Sequence, residues 1–276
     1  MQKLTIIGSG PAGLSAGIYA ARGGVKPVVL EGLESGGQLM QTQHVANYPG
    51  FPGVAKGPDI IAAIRRQAEE AGVAFVMDAV KSVDFSGGTK KLMTLMGDTI
   101  ETQAVIIASG AGVTKTDLPG EAKYFGRGIS ACLTCDGAFY AGKRAVVVGE
   151  GPASAGAKVY LERLGATVPA IVKPSDAAEF TGDGPKFTGV KLKDGTSVAA
   201  DGAFLVTART PQTSFVAGAL ELDAKGHVVT SGGVKTAVPG VFAAGDCARP
   251  KHKQAVIAAG DGALAALEAL EYLRTH

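Results

Sequence analysis

The sequence predicts an α/β chain of two Rossmann-like domains, the larger interrupted by the smaller, and three observations carry that prediction. Leu4-Thr5-Ile6-Ile7 runs into Gly8-Ser9-Gly10-Pro11-Ala12-Gly13 and then an alanine-rich stretch to Arg22, which reads as strand, tight turn and helix. Ala145 to Val148 runs in the same way into Gly149-Glu150-Gly151-Pro152-Ala153-Ser154 and a second helical stretch to Leu164. Between them, Cys132-Leu133-Thr134-Cys135-Asp136-Gly137 sets two thiols three positions apart. The expected division is 1–111 with 208–276 for the larger domain and 112–207 for the smaller.

Composition bounds the function. At 276 residues the chain has room for two domains. Hydrophobic residues make up 46% of it, yet no apolar run approaches the ~20 residues that span a bilayer. The N-terminus enters a strand directly, with no charged n-region or cleavage site, which points to the cytoplasm. With 27 basic and 25 acidic side chains the net charge is +2, which argues against nucleic acid as a partner. Three cysteines make no secreted disulfide framework, so the CxxC reads as a reversible redox pair. The alternative is half of a zinc site completed by Cys247 and His252.

The first glycine turn has its proper setting. Gly8 permits the turn, Gly10 admits a pyrophosphate, Gly13 brings helix onto strand, and the helix N-terminus faces the phosphate charge. A second strand, Pro27 to Leu30, ends in Glu31, where a carboxylate can hold an adenine ribose hydroxyl. Gly36-Gly37-Gln38-Leu39 and Asn47-Tyr48-Pro49-Gly50-Phe51-Pro52 are turn-rich and look like a loop that wraps a ligand. Pro58 to Ala71 has helical periodicity, short strands separated by Gly87-Gly88 and Gly97-Asp98 follow, and Ala104 to Ala108 is a buried strand closed by Ser109-Gly110-Ala111. Near the end, Val241 to Ala244 leads into Gly245-Asp246, and Gln254 to Leu273 forms a long helix whose first amides can stabilise charge on a reduced ring.

The order of these pieces resembles the low-molecular-weight thioredoxin reductase family over nearly the whole chain. The matching motifs are GSGPAG, EG…GGQL, NYPGFP, VIIASGA, LPGE…GRGISACLTCDG, VPGVFAAGDC and KQAVIAAGDGALAA. The resemblance implies FAD, held by Gly8, Gly10, Pro11, Ala12, Gly13, Glu31, Gly37, Gln38, Leu39, Asn47, Ser109, Gly110, Ala111, Gly245, Asp246, Lys253, Gln254 and Ala255. It also implies a homodimer and a thioredoxin-like protein as partner. Lys253 stands where the family carries arginine, and Arg249, Lys251 and Lys253 form a short basic cluster whose alternatives are solvated surface or a docking face.

The middle segment departs from the family. Glu150 puts a carboxylate between the two glycines of the second turn, and Ser154 replaces a small apolar residue. After the strand expected over Val168 to Val172, the arginine motif that clamps a 2′-phosphate is replaced by Lys173-Pro174-Ser175-Asp176, and no arginine occurs between Arg163 and Arg209. The segment is also short for a complete nucleotide domain. The expected enzyme passes electrons from flavin to the Cys132/Cys135 disulfide and on to a thioredoxin, fed by ferredoxin rather than NADPH. Cys135 is the cysteine the family places beside the flavin, Cys132 attacks the substrate disulfide, and Asp136 is the general acid and base or, alternatively, a cap of the local turn. The rival readings are an NADPH-dependent reductase with an aberrant site, a flavin dithiol oxidase, and a flavin-binding redox sensor without turnover.

Overall fold

The computed structural model describes residues 1–207, 209–249 and 251–276, and of Val113 only the backbone. The expected boundary at residue 208 therefore lies outside the described residues. Contacts divide the chain into two units, one of residues 1–40, 58–112 and 210–276, the other of 41–57 and 113–209. The division differs from the expected one in the loop 41–57, which groups with the cysteine-bearing unit. Its own structure explains this: Val45 bridges Ala55, Gly57 N–H donates to Thr42 O, and the His44 ring lies 5.5 Å from that of Phe139.

In the first unit the opening strand Gln2–Ile7 lies at the centre of a seven-stranded sheet. On one side it pairs in parallel with Val28–Leu30, which pairs in parallel with Ala74–Val76; on the other it pairs in parallel with Thr99–Ile107. The remaining edge of Thr99–Ile107 is shared. Its first half pairs antiparallel with Lys90–Thr94, and its last three residues pair in parallel with Val241–Ala243. Antiparallel pairing of Val80–Asp84 with Lys90–Thr94 completes the sheet. The opening strand is apolar on both faces because both faces are covered. Leu4 and Ile6 pack among Ala16 and Ala20 of helix Pro11–Arg22 and Ala265, Ala266 and Ala269 of the closing helix Ala255–Thr275. Ile7, Val105 and Ile107 pack on the other face with Leu92, Val216 and Val241. Helix Gly57–Glu70 is amphipathic and buries Ile60, Ile61 and Ala68.

The second unit is a smaller version of the same plan. A four-stranded parallel sheet runs in the order Ile171–Val172, Ala145–Gly149, Gly202–Val206, Ile129–Ser130. Val147 and Ala145 pack on Ala157 and Leu161 of helix Gly151–Arg163, while Val146 and Val148 pack on the opposite face with Phe180 and Phe187. The strand expected from Val168 shrinks to Ile171–Val172: Thr167 and Ala170 already bond to Lys143, Ala145 and Val147 alongside, but the continuous parallel ladder holds only Ile171 and Val172. A turn at Lys173–Asp176 then leads directly into the antiparallel strands Ala177–Asp183, Lys186–Leu192 and Ser197–Ala199. Among the described residues, no helix is long and apolar enough to cross a membrane.

Candidate functional site

Two constellations stand out, one in each unit. The first is built where the opening strand turns into helix Pro11–Arg22. Gly8 has φ +109°, and a Cβ on Gly13 would lie 1.8 Å from the Gly8 carbonyl oxygen, so helix and strand meet at a distance no other side chain permits. Gly10 is different: its backbone is extended, and a Cβ there would find nothing nearer than Gly37 Cα at 4.0 Å. Gly10 is the N-cap of the helix, makes no side-chain cap bond, and is followed by Pro11. The first amides of the helix thus face a cradle between Gly10 and Gly37 that a side chain would fill, which fits a diphosphate.

The other residues expected around a flavin fall near this cradle or lead to it. A Cβ on Gly8 would touch Ala108 and Ser109, and one on Gly245 would touch Ala12 at 3.1 Å and Ala258 at 3.3 Å, so the start of the closing helix and the start of the first helix converge on Gly245. Ser109 donates its hydroxyl to Gln212 O at 2.6 Å, Gly110 accepts from Gln212 N–H at 2.9 Å, and Ala111 is buried. Gln38 and Leu39 are half-buried in the short helix Gly37–Gln41. Asp246 is half-buried in the turn Gly245–Cys247, and Gln254 is the N-cap of the closing helix, which begins at Ala255. Asn47 is the exception, since it belongs to the loop that groups with the second unit.

Glu31 directly follows the second strand and is buried, with both carboxylate oxygens engaged. Arg65 of helix Gly57–Glu70 pairs with Oε1 and reaches Oε2 at 3.4 Å, and the Ser35 hydroxyl donates to Oε1 at 2.5 Å. Burial pushes the Glu31 carboxyl up, but the bonds from Arg65 and Ser35 outweigh it and hold the group below its ordinary value. A carboxylate has about four acceptor positions, so the ion pair leaves capacity for a ribose hydroxyl. The sequence reading missed Arg65, whose only local signal is its place on the buried margin of an amphipathic helix.

The second constellation surrounds the cysteines. Cys132 and Cys135 are joined as a disulfide with Cα atoms 5.3 Å apart, Cys132 standing just before the single helical turn Leu133–Asp136. Both are half-buried. Ser130, which sequence reasoning did not single out, donates its hydroxyl to Asp136 Oδ2 and accepts the Cys132 N–H at 3.0 Å. Burial pushes the Asp136 carboxyl up, against the smaller opposing effects of the Ser130 bond and the His44 charge. Asp136 makes no side-chain cap bond to the following turn, so its carboxyl is held by Ser130 rather than used as a cap. Arg209 donates to Ala131 O at 3.0 Å and braces the backbone just ahead of Cys132. The half-buried Tyr140 hydroxyl is pushed up to about 12 by desolvation and then by Asp136 and Asp201.

Other expected features resolve locally. Cys247 is fully buried, its thiol on the carbonyls of Ala244 and Ile107 at 3.3 and 3.4 Å, and it belongs to the hydrophobic core. Arg249 is taken up by a two-pronged ion pair with Asp261 at 2.8 and 2.5 Å, so the basic cluster does not present three solvated cations. Ser154 is buried, its hydroxyl donating to Glu150 O at 3.2 Å, whereas Glu150 and Lys173 are exposed.

Comparison with known proteins follows the same lines. The sequence profile of the pyridine nucleotide-disulphide oxidoreductase family matches residues 2–175 and 170–262. A thioredoxin reductase of Coxiella burnetii is 36% identical over 310 aligned positions, covering 98% of this chain and 96% of that one. The aligned length exceeds the 276 residues of this chain, so the relative carries stretches that this chain lacks. The solved thioredoxin reductase from Giardia duodenalis is 37% identical with a TM-score of 0.88, covering 99% and 98% of the two chains. That from Streptococcus pyogenes is 30% identical with a TM-score of 0.91 and the same coverage. With both constellations on one chain and a profile match along most of its length, this protein belongs to the pyridine nucleotide-disulphide oxidoreductase family.

Proposed function

We propose that the chain is a flavin-dependent reductase that passes two electrons from FAD through Cys132 and Cys135 to the disulfide of a thioredoxin-type protein. The observation that carries this reading is the Cys132–Cys135 disulfide with the half-buried Asp136 carboxyl held beside it by Ser130. FAD, when bound in the cradle of Gly10 and Gly37 with Glu31 on its ribose, supplies the electron pair that reopens the disulfide. The chain's own residues do the rest. The Cys132 thiolate attacks one sulfur of the partner's disulfide, forming a mixed disulfide and releasing the partner's other sulfur as a thiolate that takes a proton from Asp136. The Cys135 thiolate then attacks the Cys132 sulfur, which restores the internal disulfide and releases the partner as a dithiol after a second proton is delivered. Burial raises the Asp136 carboxyl, which is the direction a proton donor needs.

For the electron donor we propose a reduced ferredoxin rather than NADPH. Exposed Glu150 stands at the N-cap of helix Gly151–Arg163, where its charge opposes a pyrophosphate. The turn Lys173–Asp176 carries no arginine and leads straight into the antiparallel strands. A second reading is a pyridine nucleotide donor, favoured by the family name and by the retained strand, turn and helix over 145–163. Anaerobic reduction of the FAD-loaded protein by NADPH, NADH and reduced ferredoxin decides between them. Each lost charge-assisted contact costs ~1.5–3 kcal/mol, so two or three weaken nucleotide binding by ~10²-fold or more. Slow or absent bleaching with NADPH and rapid bleaching with ferredoxin are expected; saturable bleaching by micromolar NADPH overturns the choice. The homodimer implied by the resemblance has Val256, Leu264 and Leu267 exposed on the closing helix in its favour.

A further inference from the structure

His227 is buried, and nothing in the mechanism above uses it. It closes a turn that begins at Asp223. The Asp223 N–H donates to His227 O at 2.8 Å, and the Asp223 carboxylate takes the backbone N–H groups of Lys225 and His227 at 2.8 and 2.9 Å. The Thr213 hydroxyl donates to Gly226 O at 2.6 Å, and Val228 N–H donates to Cys247 O at 2.9 Å, which ties the turn to the segment that carries Asp246. The backbone therefore fixes the imidazole. Its Nδ1 lies 3.0 and 3.3 Å from the two carboxylate oxygens of Asp223, and its Nε2 lies 3.1 Å from Lys253 Nζ. The same ammonium donates to Asp246 O at 3.4 Å.

An ammonium only donates, so the lone pair of the ring must be on Nε2 and its proton on Nδ1, facing the carboxylate. Burial pushes the Asp223 carboxyl up, but the backbone N–H groups of His227 and Lys225 and the ring itself outweigh it, which keeps the acceptor anionic. We propose that His227 is a positioning residue for the flavin site: through the relay Asp223–His227–Lys253 it holds the Lys253 ammonium against the Asp246 carbonyl. The inference rests on the reading that Lys253 and Asp246 border FAD. It also explains why lysine serves where the family carries arginine. A compact ammonium with three rotatable donors can satisfy an imidazole nitrogen and a carbonyl at once, whereas a planar guanidinium has its donors in a fixed fork.

The test is FAD dissociation from the full-length loaded protein, followed by flavin fluorescence, in the wild type, His227→Phe, His227→Gln, Lys253→Met and the His227→Phe/Lys253→Met double variant. His227→Phe is expected to weaken FAD binding by about 10- to 100-fold, the range for one charge-assisted hydrogen bond. Lys253→Met should lose a similar factor and the double variant no more than either single one. His227→Gln keeps an acceptor for Lys253 and a donor for Asp223, and should recover part of the loss. Unchanged affinity in His227→Phe, equal losses in the Phe and Gln variants, or losses that multiply in the double variant would overturn the relay. Should His227→Phe fail to fold, nitrogen NMR of the wild-type ring decides: Nδ1 protonated with Nε2 bare is expected at neutral pH, and a protonated Nε2 refutes it. A wild-type chain that binds no FAD would instead refute the flavin reading, and the ring tautomer would still decide the relay.

Discussion

Gly10→Val separates cofactor binding from folding in a way few substitutions can. Gly10 has φ −72° and ψ −176°, an extended conformation open to valine, and a Cβ there stands 4.0 Å from the nearest atom. The apoprotein should tolerate the change, losing about 1 kcal/mol for a poorer N-cap residue, or a few degrees of melting temperature in a domain of this size. The branched side chain occupies the cradle in front of the first helical amides. Losing two phosphate contacts at ~1.5–3 kcal/mol each corresponds to a loss in affinity of ~10²-fold or more. Calorimetric titration of apoprotein with FAD measures the affinity, and thermal melting of the same sample measures the fold. Gly13→Ala is the contrasting control, because its Cβ would sit 1.8 Å from the Gly8 carbonyl oxygen and should disrupt the fold itself. Retention of FAD at wild-type affinity by a folded Gly10→Val chain would refute the placement of the pyrophosphate.

Two further substitutions test the carboxylates. Asp136→Asn should slow thiol–disulfide exchange with a thioredoxin by ~10²–10⁴-fold, the range for a general acid, while FAD stays bound; unchanged exchange would leave Asp136 a structural role. Because burial raises the Asp136 pKa, its stabilising contribution is present below the unfolded value and lost as pH rises through the folded one. The Asp136→Asn chain, whose amide mimics the protonated form, should therefore melt above the wild type at pH 8 and converge with it in acid, and a reversed trend would contradict the raised pKa. Glu31 has the opposite sign. Its lowered pKa contributes stability above the unfolded value that is lost as pH falls through the folded one, so Arg65→Met should cost about 1–3 kcal/mol at pH 7 with the difference shrinking in acid. A pH-independent difference in the denaturation curves would show that packing of Arg65 on Phe75, 4.2 Å away, matters more than its charge.

The fold was legible where local pattern and packing agree. The strand, glycine turn and alanine-rich helix at the N-terminus form as read, because Leu4, Ile6, Ala16 and Ala20 need both layers of the sheet to be buried. The closing helix was legible for the same reason. What the sequence hid was contact between distant segments. Arg65 reaches Glu31 across 34 positions, and Ser130 reaches Asp136 through a side-chain bond that no spacing rule announces. His227 and Lys253 lie 26 positions apart, so the lysine read as a surface cation until its partner was visible. The loop 41–57 read as part of the flavin domain from its turn formers, but its grouping depends on Val45–Ala55 and His44–Phe139 contacts that composition does not encode. Ser154 read as a defect in a phosphate turn, whereas its hydroxyl is spent on the Glu150 carbonyl.

The central claim is that the Cys132–Cys135 pair carries electrons from bound flavin to a thioredoxin-type protein. Its most direct test is thiol titration of an oxidised bacterial thioredoxin after anaerobic mixing with the stoichiometrically reduced, FAD-loaded chain. The wild type should convert the thioredoxin disulfide to a dithiol while its own Cys132–Cys135 disulfide reforms, and neither Cys132→Ser nor Cys135→Ser should do so. Transfer that persists in either cysteine variant, or a wild-type chain that keeps its electrons in the presence of the oxidised partner, would contradict the account.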